Sequence, residues 1–306
     1  MTKAIKNKEA SIRAKLLNIA RTENRPFDSL LLLYMQERLL YRLSISKYVN
    51  HFVLKGGMFM LILTELKGRP TMDIDLLAIQ MSNDLVEIEN IFREIAAAKY
   101  NDDGLVFNKE SIEIERIIEN ADYQGIRVKM TCSLGSARKA IRLDIGFGDV
   151  IVPAPYTMEW PTIFDSPPLY IKTYSLESVI SEKFHAMISL SAVNSRMKDF
   201  YDIYSLLNMN DFTGKLLYMA IRETFSRRQT KMDVDTIIFT QSFRQNSDRN
   251  TMWKAFLKKI NMESISFEEV MLEITTFTKP VYVSILNNTE FLLDWNHNEK
   301  EWHVSS

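Results

Sequence analysis

FVLKGGMFMLILTELKGRPTMDIDLL, residues 52–77, is the stretch of sequence that decides the fold. An apolar strand runs into Gly56-Gly57, an apolar helix follows, and a turn at residues 68–70 leads into a second strand. That strand carries Asp73 and Asp75 on either side of an isoleucine. Because strand side chains alternate between the two faces of a sheet, both carboxylates are predicted to project from one face.

Two neighbouring carboxylates and a glycine pair together indicate a metal and a phosphate. Carboxylates side by side repel each other unless a cation lies between them, and Mg²⁺ is typically held by one or two carboxylates plus substrate phosphates. Gly56 and Gly57 would let the backbone approach phosphate oxygens at a helix N-terminus. Alone, a glycine pair is more often a plain turn and Asp-x-Asp a solvated strand edge. Their order and their apolar flanks favour a nucleotide site.

These motifs resemble the nucleotidyltransferase fold shared with DNA polymerase β. More narrowly, the chain resembles the AbiEii/AbiGii toxin family, the toxin half of a bacterial toxin–antitoxin pair. In that family Gly-Gly is followed by Arg-x-Thr-x-Asp-x-Asp, which here is the run from Arg69 to Asp75. The chain departs from the family at Met58, where Thr or Ser is frequent, so a hydroxyl contact to phosphate is expected to be missing.

Composition restricts the remaining possibilities. The net charge of −1 gives no global basic surface, so any nucleic acid must bind a local positive patch. The single cysteine, Cys132, excludes an intramolecular disulfide and a cysteine-rich zinc site, as in a reducing cytosol. The first residues lack the apolar core of a secretory signal, and no apolar run is long enough to span a bilayer. We therefore expect a cytoplasmic protein that does not enter a membrane.

Periodicity predicts an α/β (α+β) fold with a mixed sheet, followed by a mostly α-helical C-terminal domain. Helical spacing and strand alternation are each found in three early segments: helices at 8–22, 27–46 and 83–99, and strands at 111–118, 126–132 and 141–147. Later helices are predicted at 216–225, 233–243, 251–260 and 266–277, with Pro280 ending the last.

Five prolines between residues 153 and 168 are predicted to break regular structure. They divide the chain into a nucleotidyltransferase domain at 1–152, a Pro-rich connection at 153–172 and a helical domain at 173–306. Asp149, directly after Gly148, is expected to start a turn. Two small basic clusters, at 225–230 and at Lys258-Lys259, are either solvated charges or phosphate contacts to RNA.

Asp144 is a candidate third carboxylate. It is a polar residue of a strand in which its neighbours Leu143 and Ile145 are predicted to face the core. The resemblance places it in the family's second motif, where it would complete the metal site with Asp73 and Asp75 or orient the attacking hydroxyl. The alternative is a surface pair with Arg142, which would contribute little stability.

Lys183 falls within the apolar stripe of a predicted helix at 175–190, for which Ser175 is a plausible N-cap. A lysine on an inward face is seldom fully buried without a partner, so it is predicted to reach into a cleft and hold a triphosphate. The alternative is that its stem lies along the surface and carries the ammonium to solvent. Glu182-Lys183 also resembles the family's third motif.

The run from Arg196 to Asp202 resembles the family's fourth motif, Arg-x-x-Asp-x-x-Asp. On a helix Asp199 and Asp202 share a face, so one is expected to pair with Lys183 or Arg196 and the other to line the nucleotide pocket or cap the helix. Asp202 is favoured as the functional one. An acidic pair at this spacing is otherwise ordinary solvated surface.

The resemblance implies a Mg²⁺-dependent enzyme that transfers a nucleoside monophosphate from an NTP to an acceptor hydroxyl. Some family members modify the 3′ end of tRNA and block translation, which makes tRNA the first choice of acceptor. A protein hydroxyl is the enzymatic alternative, and a fold that binds nucleotide or RNA without chemistry is the alternative from another class. A cognate antitoxin encoded nearby is also implied, although it need not bind the toxin.

Overall fold

The computed structural model describes residues 8–98, 100, 102–120, 123–164, 166–262 and 265–304. The contacts divide the chain into two compact units. Unit 1 consists of Met1–Gly148 and Tyr156–Thr173, and unit 2 consists of Asp149–Pro155 and Tyr174–Ser306. No helix among the described residues is both long and apolar enough to cross a bilayer.

Unit 1 is a mixed sheet with helices. Its described helices are α1 (Lys8–Thr22), α2 (Phe27–Ser44), α3 (Gly56–Leu63) and α4 (Leu85–Ala97). Its described strands are β1 (Phe52–Lys55), β2 (Asp73–Ala78), β3 (Leu105–Asn120), β4 (Tyr123–Leu134), β5 (Ala137–Phe147), β6 (Tyr156–Trp160) and β7 (Leu169–Thr173). They form one sheet in the order β3-β4-β5-β2-β1-β7-β6, in which β2 is parallel to β5 and antiparallel to β1. The predicted mixed sheet is confirmed.

The two faces of this sheet differ in polarity. On β5, Ile141, Leu143 and Ile145 are buried, whereas Arg142 between them is exposed. Helix α2 packs a leucine-rich face against β5 and β7. The burial of this apolar area stabilises the packing of the helix on the sheet. On β5 the opposite face therefore carries the polar residues, Arg142 and Asp144.

The segment 153–172, predicted to lack regular structure, contains strand β6 and most of β7. The prolines lie outside both strands: two precede Tyr156, and three fall between Trp160 and Leu169. Proline removes a backbone donor, so it is tolerated beside strands that it would interrupt from within. Strand β7 is parallel to β1 and antiparallel to β6, which extends the sheet of unit 1.

Unit 2 is mostly helical, as predicted. Its described helices are α5 (Leu176–Leu190), α6 (Met197–Leu207), α7 (Gly214–Arg227), α8 (Gln241–Arg244), α9 (Ser247–Ile260) and α10 (Phe267–Leu286). Ser175 caps α5 as predicted, because its hydroxyl accepts a hydrogen bond from the Ser178 backbone at 3.3 Å. A three-stranded sheet of β8 (Phe212–Thr213), β9 (Leu293–Asn296) and β10 (Glu301–Val304) completes the unit.

Two helix predictions in unit 2 are wrong in extent. Pro280 lies inside α10, which continues to Leu286, because Phe277, Val281 and Tyr282 bury apolar surface on both sides of the proline. Residues 233–243 are not one helix. They contain a turn, a 3₁₀ segment at Ile237–Phe239 and the start of α8, which the Thr240 side chain caps.

Candidate active site

The junction of β1 and α3 needs both of its glycines. Gly56 has a φ of +64°, and a Cβ there would lie 2.0 Å from Asp75 Oδ2. A Cβ on Gly57 would lie 2.6 Å from Thr71 Oγ1. Glycine is therefore required by close approach as well as by conformation, and it brings the start of α3 against the carboxylate strand.

The register of β2 and β5 brings the three candidate carboxylates to one face of the sheet. Asp75 is the cross-strand partner of Asp144, and Asp73 is the partner of Arg142. Ile74 is fully buried, so the aspartates on either side of it project from the opposite, polar face. Side chains at directly paired positions of adjacent strands are close enough to interact.

Each of two carboxylates is paired with an arginine. Arg127 on β4 donates two hydrogen bonds to Asp144, from Nε to Oδ1 and from Nη2 to Oδ2, both 2.7 Å long. Arg142 Nη1 lies 3.2 Å from Asp73 Oδ1, within ion-pair distance. The alternative pair between Arg142 and Asp144 is therefore not the arrangement found, because each residue has a different partner.

The donor set suits a hard divalent cation of the Mg²⁺ type. Asp73 Oδ1 is buried and, apart from its ion pair with Arg142, has no hydrogen-bond donor among the described residues. Asp75 Oδ2 faces the space that a Cβ on Gly56 would fill. Carboxylate oxygens of this kind, together with phosphates, are the ligands that Mg²⁺ takes. Within the described ranges, however, no three acidic, histidine or cysteine side chains are grouped closely enough to hold a metal. The metal-ligand roles of Asp73, Asp75 and Asp144 stay a prediction.

The segment that leads into β2 is fixed by a residue that the sequence analysis did not identify. Gln36 on α2 is buried and donates a hydrogen bond from Nε2 to the Met72 carbonyl at 3.0 Å. Arg69 lies three residues earlier, half-buried. Met58 is fully buried, so in this chain the position after the glycine pair contributes to the core.

In unit 2, Lys183 is held by two carboxylates. Its Nζ lies 3.1 Å from Asp199 Oδ1 and 2.6 Å from Asp202 Oδ2. Arg196 Nε lies 2.8 Å from the other oxygen of Asp199, which therefore bridges the two cations. The Lys183 side chain is 11% exposed and the aspartates are at most 2% exposed, so the ammonium does not reach open solvent along the surface.

A second polar cluster in unit 2 joins the predicted turn residue to the predicted basic cluster. Arg228 Nη2 lies 3.1 Å from Asp149 and 3.4 Å from Glu182, and Tyr174 donates a hydrogen bond to Glu182 at 3.0 Å. Beside them, burial and the Arg228 charge lower the pKa of His185 to about 4. Arg228 is therefore engaged within the protein rather than solvated.

The fold and the carboxylate face are those expected of a nucleotidyltransferase, and comparison with protein families agrees. Residues 38–273 match the family described as Nucleotidyl transferase AbiEii toxin, Type IV TA system. The chain belongs to this family and is a nucleotidyltransferase. Membership implies a nucleotide substrate and an antitoxin counterpart.

Two solved structures from Helicobacter pylori resemble the chain. A candidate nucleotidyltransferase aligns with 14% identity and a TM-score of 0.47, covering 86% of this chain and 99% of its own. The protein JHP933 aligns with 14% identity and a TM-score of 0.46, covering 85% of this chain and 94% of its own. No curated protein matches the chain significantly.

Proposed function

We propose that the protein transfers a nucleoside monophosphate from an NTP to the 3′ end of tRNA in a Mg²⁺-dependent reaction that releases pyrophosphate. The observation that carries the proposal is the cross-strand pairing of Asp75 with Asp144, with Asp73 on the same face and Gly56 against Asp75. The choice of tRNA rests on family membership, since some members of the family modify that end.

Residues of unit 1 would hold the metal and the phosphates. Asp73 and Asp75 would hold Mg²⁺, and Asp144 would be a further ligand or would accept the proton of the attacking hydroxyl. The cation would supply charge stabilisation as a Lewis acid. The backbone at Gly56 and Gly57 would donate to phosphate oxygens, with Arg69 beside them.

Residues of unit 2 would balance the charge that develops during transfer. Lys183 would neutralise the α-phosphate and the departing pyrophosphate as a point charge. Asp199 accepts a hydrogen bond from the Lys183 ammonium and Asp202 forms an ion pair with it, so both would fix the direction of the ammonium. Arg196, 44% exposed and tied to Asp199, would contact the nucleotide.

The test is to incubate the purified protein with Mg²⁺, total bacterial tRNA and each α-labelled NTP in turn. The controls are Asp73→Ala/Asp75→Ala and a matched surface variant, Asp28→Asn, whose carboxylate pairs with Lys139 away from the polar face. Label on tRNA with the wild type and Asp28→Asn, and none with the double variant, is the expected result. Label on protein would favour a protein hydroxyl as acceptor, and no label anywhere would favour a fold that binds without chemistry.

A further inference from the structure

The polar face of the unit 1 sheet carries a row of charges that crosses four strands. Asp75 on β2 is paired in register with Asp144 on β5, Asp144 with Arg127 on β4, and Arg127 with Glu115 on β3. Directly paired side chains of opposite charge attract each other across a sheet. The row thus places Arg127, which belongs to none of the sequence motifs, next to the candidate metal site.

The contact between Arg127 and Asp144 is more extensive than a single-bonded surface ion pair. Both carboxylate oxygens accept a hydrogen bond at 2.7 Å, in the bidentate geometry that matches a guanidinium to a carboxylate. The two side chains are 28% and 22% exposed, so solvent reaches them only in part.

The other arginine of the face is placed differently. Arg142 approaches Asp73 through one nitrogen at 3.2 Å and is 47% exposed. Arg127 thus occupies both oxygens of Asp144, whereas Arg142 approaches one oxygen of Asp73. Because a guanidinium and a divalent cation carry charge of the same sign, they oppose each other at one carboxylate.

We propose that Arg127 is a positioning residue that occupies Asp144 in the nucleotide-free protein and opposes divalent-cation binding there, so that the cation enters together with the triphosphate. The inference rests on the proposed function of the site. A triphosphate adds negative charge that favours the cation, and its oxygens offer the Arg127 fork another bidentate acceptor. Asp144 is then released to the metal.

The test measures metal binding without any reaction. Mn²⁺ is the probe, because it accepts the same carboxylate ligands as Mg²⁺ and its free form is quantified by electron paramagnetic resonance. Full-length wild type, Arg127→Gln and the control Lys129→Gln are titrated without nucleotide. Lys129 lies two residues away on the same strand and pairs with Glu115 at 2.8 Å, so its loss removes one positive charge but leaves the Arg127–Asp144 pair intact.

Arg127→Gln is expected to bind Mn²⁺ at least about tenfold more tightly than the wild type, since one neighbouring charge shifts ionic equilibria by about one to three powers of ten. Lys129→Gln is expected to stay within about threefold of the wild type, because its charge is not in contact with Asp144. An NTP analogue with a methylene group between the α- and β-phosphates should reduce the difference between Arg127→Gln and the wild type. Adding Asp144→Asn to Arg127→Gln should abolish the gain.

Equal or weaker Mn²⁺ binding by Arg127→Gln would overturn the proposal and would indicate that Arg127 only prepares Asp144 for the metal or joins the strands. If Arg127→Gln does not fold, Arg127→Met keeps most of the aliphatic stem but removes the charge, and unchanged Mn²⁺ affinity in that folded variant would overturn the proposal as well. Failure of the tRNA labelling would overturn the proposed acceptor, whereas the nucleotide-free Mn²⁺ comparison needs only the carboxylates and gives its result independently.

Discussion

Two clusters of paired charges, one in each unit, use the same residue types in opposite settings. In unit 1, Asp73 and Asp144 pair with arginines on a sheet face that is partly open to solvent. In unit 2, Asp199 and Asp202 are buried around Lys183. We expect the first cluster to exchange its partners for a ligand more readily than the second, whose carboxylates are buried.

The difference follows from the cost of removing charge from water. A half-exposed ion pair is screened and contributes little to stability, so replacing one partner by a metal or a phosphate is inexpensive. A buried ion left without its partner is strongly unfavourable, so the unit 2 cluster resists change. We therefore expect substitutions in unit 1 to reduce activity with little effect on stability, and substitutions in unit 2 to reduce stability as well as activity.

The largest expected effect is on catalysis in unit 1. Asp75→Asn should lower the rate of nucleotidyl transfer at least about 1,000-fold, since a metal ion contributes several kcal/mol to transition-state stabilisation and each 1.4 kcal/mol is tenfold. Its melting temperature should stay within a few degrees of the wild type, because the site is partly solvated. The measurement is the initial rate of label transfer together with thermal unfolding. If Asp75→Asn remained active, the expectation that the carboxylates of unit 1 carry out the chemistry would be wrong.

The second effect is on stability in unit 2. Asp202→Ala should lower the free energy of unfolding by about 3 kcal/mol, because the buried Lys183 ammonium loses its closer carboxylate. Arg142→Gln, which breaks the half-exposed pair in unit 1, should cost less than about 1 kcal/mol. Urea denaturation of both variants measures the difference. Equal losses would show that burial does not separate the two clusters.

The third effect tests how closely the backbone supports the carboxylates. Gly56→Ala should cost about 1–2 kcal/mol for the left-handed backbone alone. It should also lower the transfer rate at least about tenfold, because displacement of a reacting group by an ångström can cost more than that. Its matched control is Gly104→Ala, because Gly104 also has a φ near +60°. A Cβ on Gly104 would lie 3.1 Å from the nearest atom, Cδ1 of Ile12, whereas a Cβ on Gly56 would lie 2.0 Å from Asp75 Oδ2.

Gly104→Ala should therefore lose stability and keep its rate, whereas Gly56→Ala should lose both. The comparison uses urea denaturation for stability and the tRNA-labelling assay for rate. If the two alanine variants were equally active, the close approach of Gly56 to Asp75 would have no role in catalysis. The glycine would then serve only the turn between β1 and α3.

The sequence predicted features that depend on local pattern. Strand alternation placed Asp73 and Asp75 on one face, and Ser175 was correctly identified as an N-cap. Pairings between distant residues could not be predicted, because they depend on register. Arg127 pairs with Asp144 only because β4 and β5 align as they do, and nothing in either strand alone specifies that alignment.

The polar run at residues 36–38 is a second case in which contacts between distant residues could not be predicted from local sequence. Charged residues in a helix usually indicate a solvated face, yet Glu37 and Arg38 are completely buried. Glu37 accepts hydrogen bonds from the Trp160 indole and the Ile163 backbone, more than 120 residues further along the chain. The prolines near Trp160 predicted an irregular connection, whereas Trp160 belongs to β6 of the sheet.

The last expected effect concerns protonation in unit 2 and appears only below pH 6.5. Burial, and then the nearby Arg228 charge, lower the pKa of His185 to about 4 from its ordinary value of 6.5. Between these two values the unfolded chain binds a proton that the folded chain does not bind. The stability contributed by neutral His185 is therefore complete above pH 6.5 and is progressively lost as the pH falls toward 4.

His185→Gln keeps a hydrogen-bonding group near Thr230 but cannot titrate, so it isolates this contribution. The free energy of unfolding of the wild type should fall with decreasing pH more steeply than that of the variant, by up to about 1.4 kcal/mol per pH unit in this window. Urea denaturation from pH 7 to pH 4 measures the slopes, and the NMR titration of His185 measures its pKa directly. Equal slopes, with a midpoint near 6.5, would mean that the His185 pocket is solvated. The contrast between an exchangeable cluster in unit 1 and a fixed interior in unit 2 would then be confined to the aspartates around Lys183.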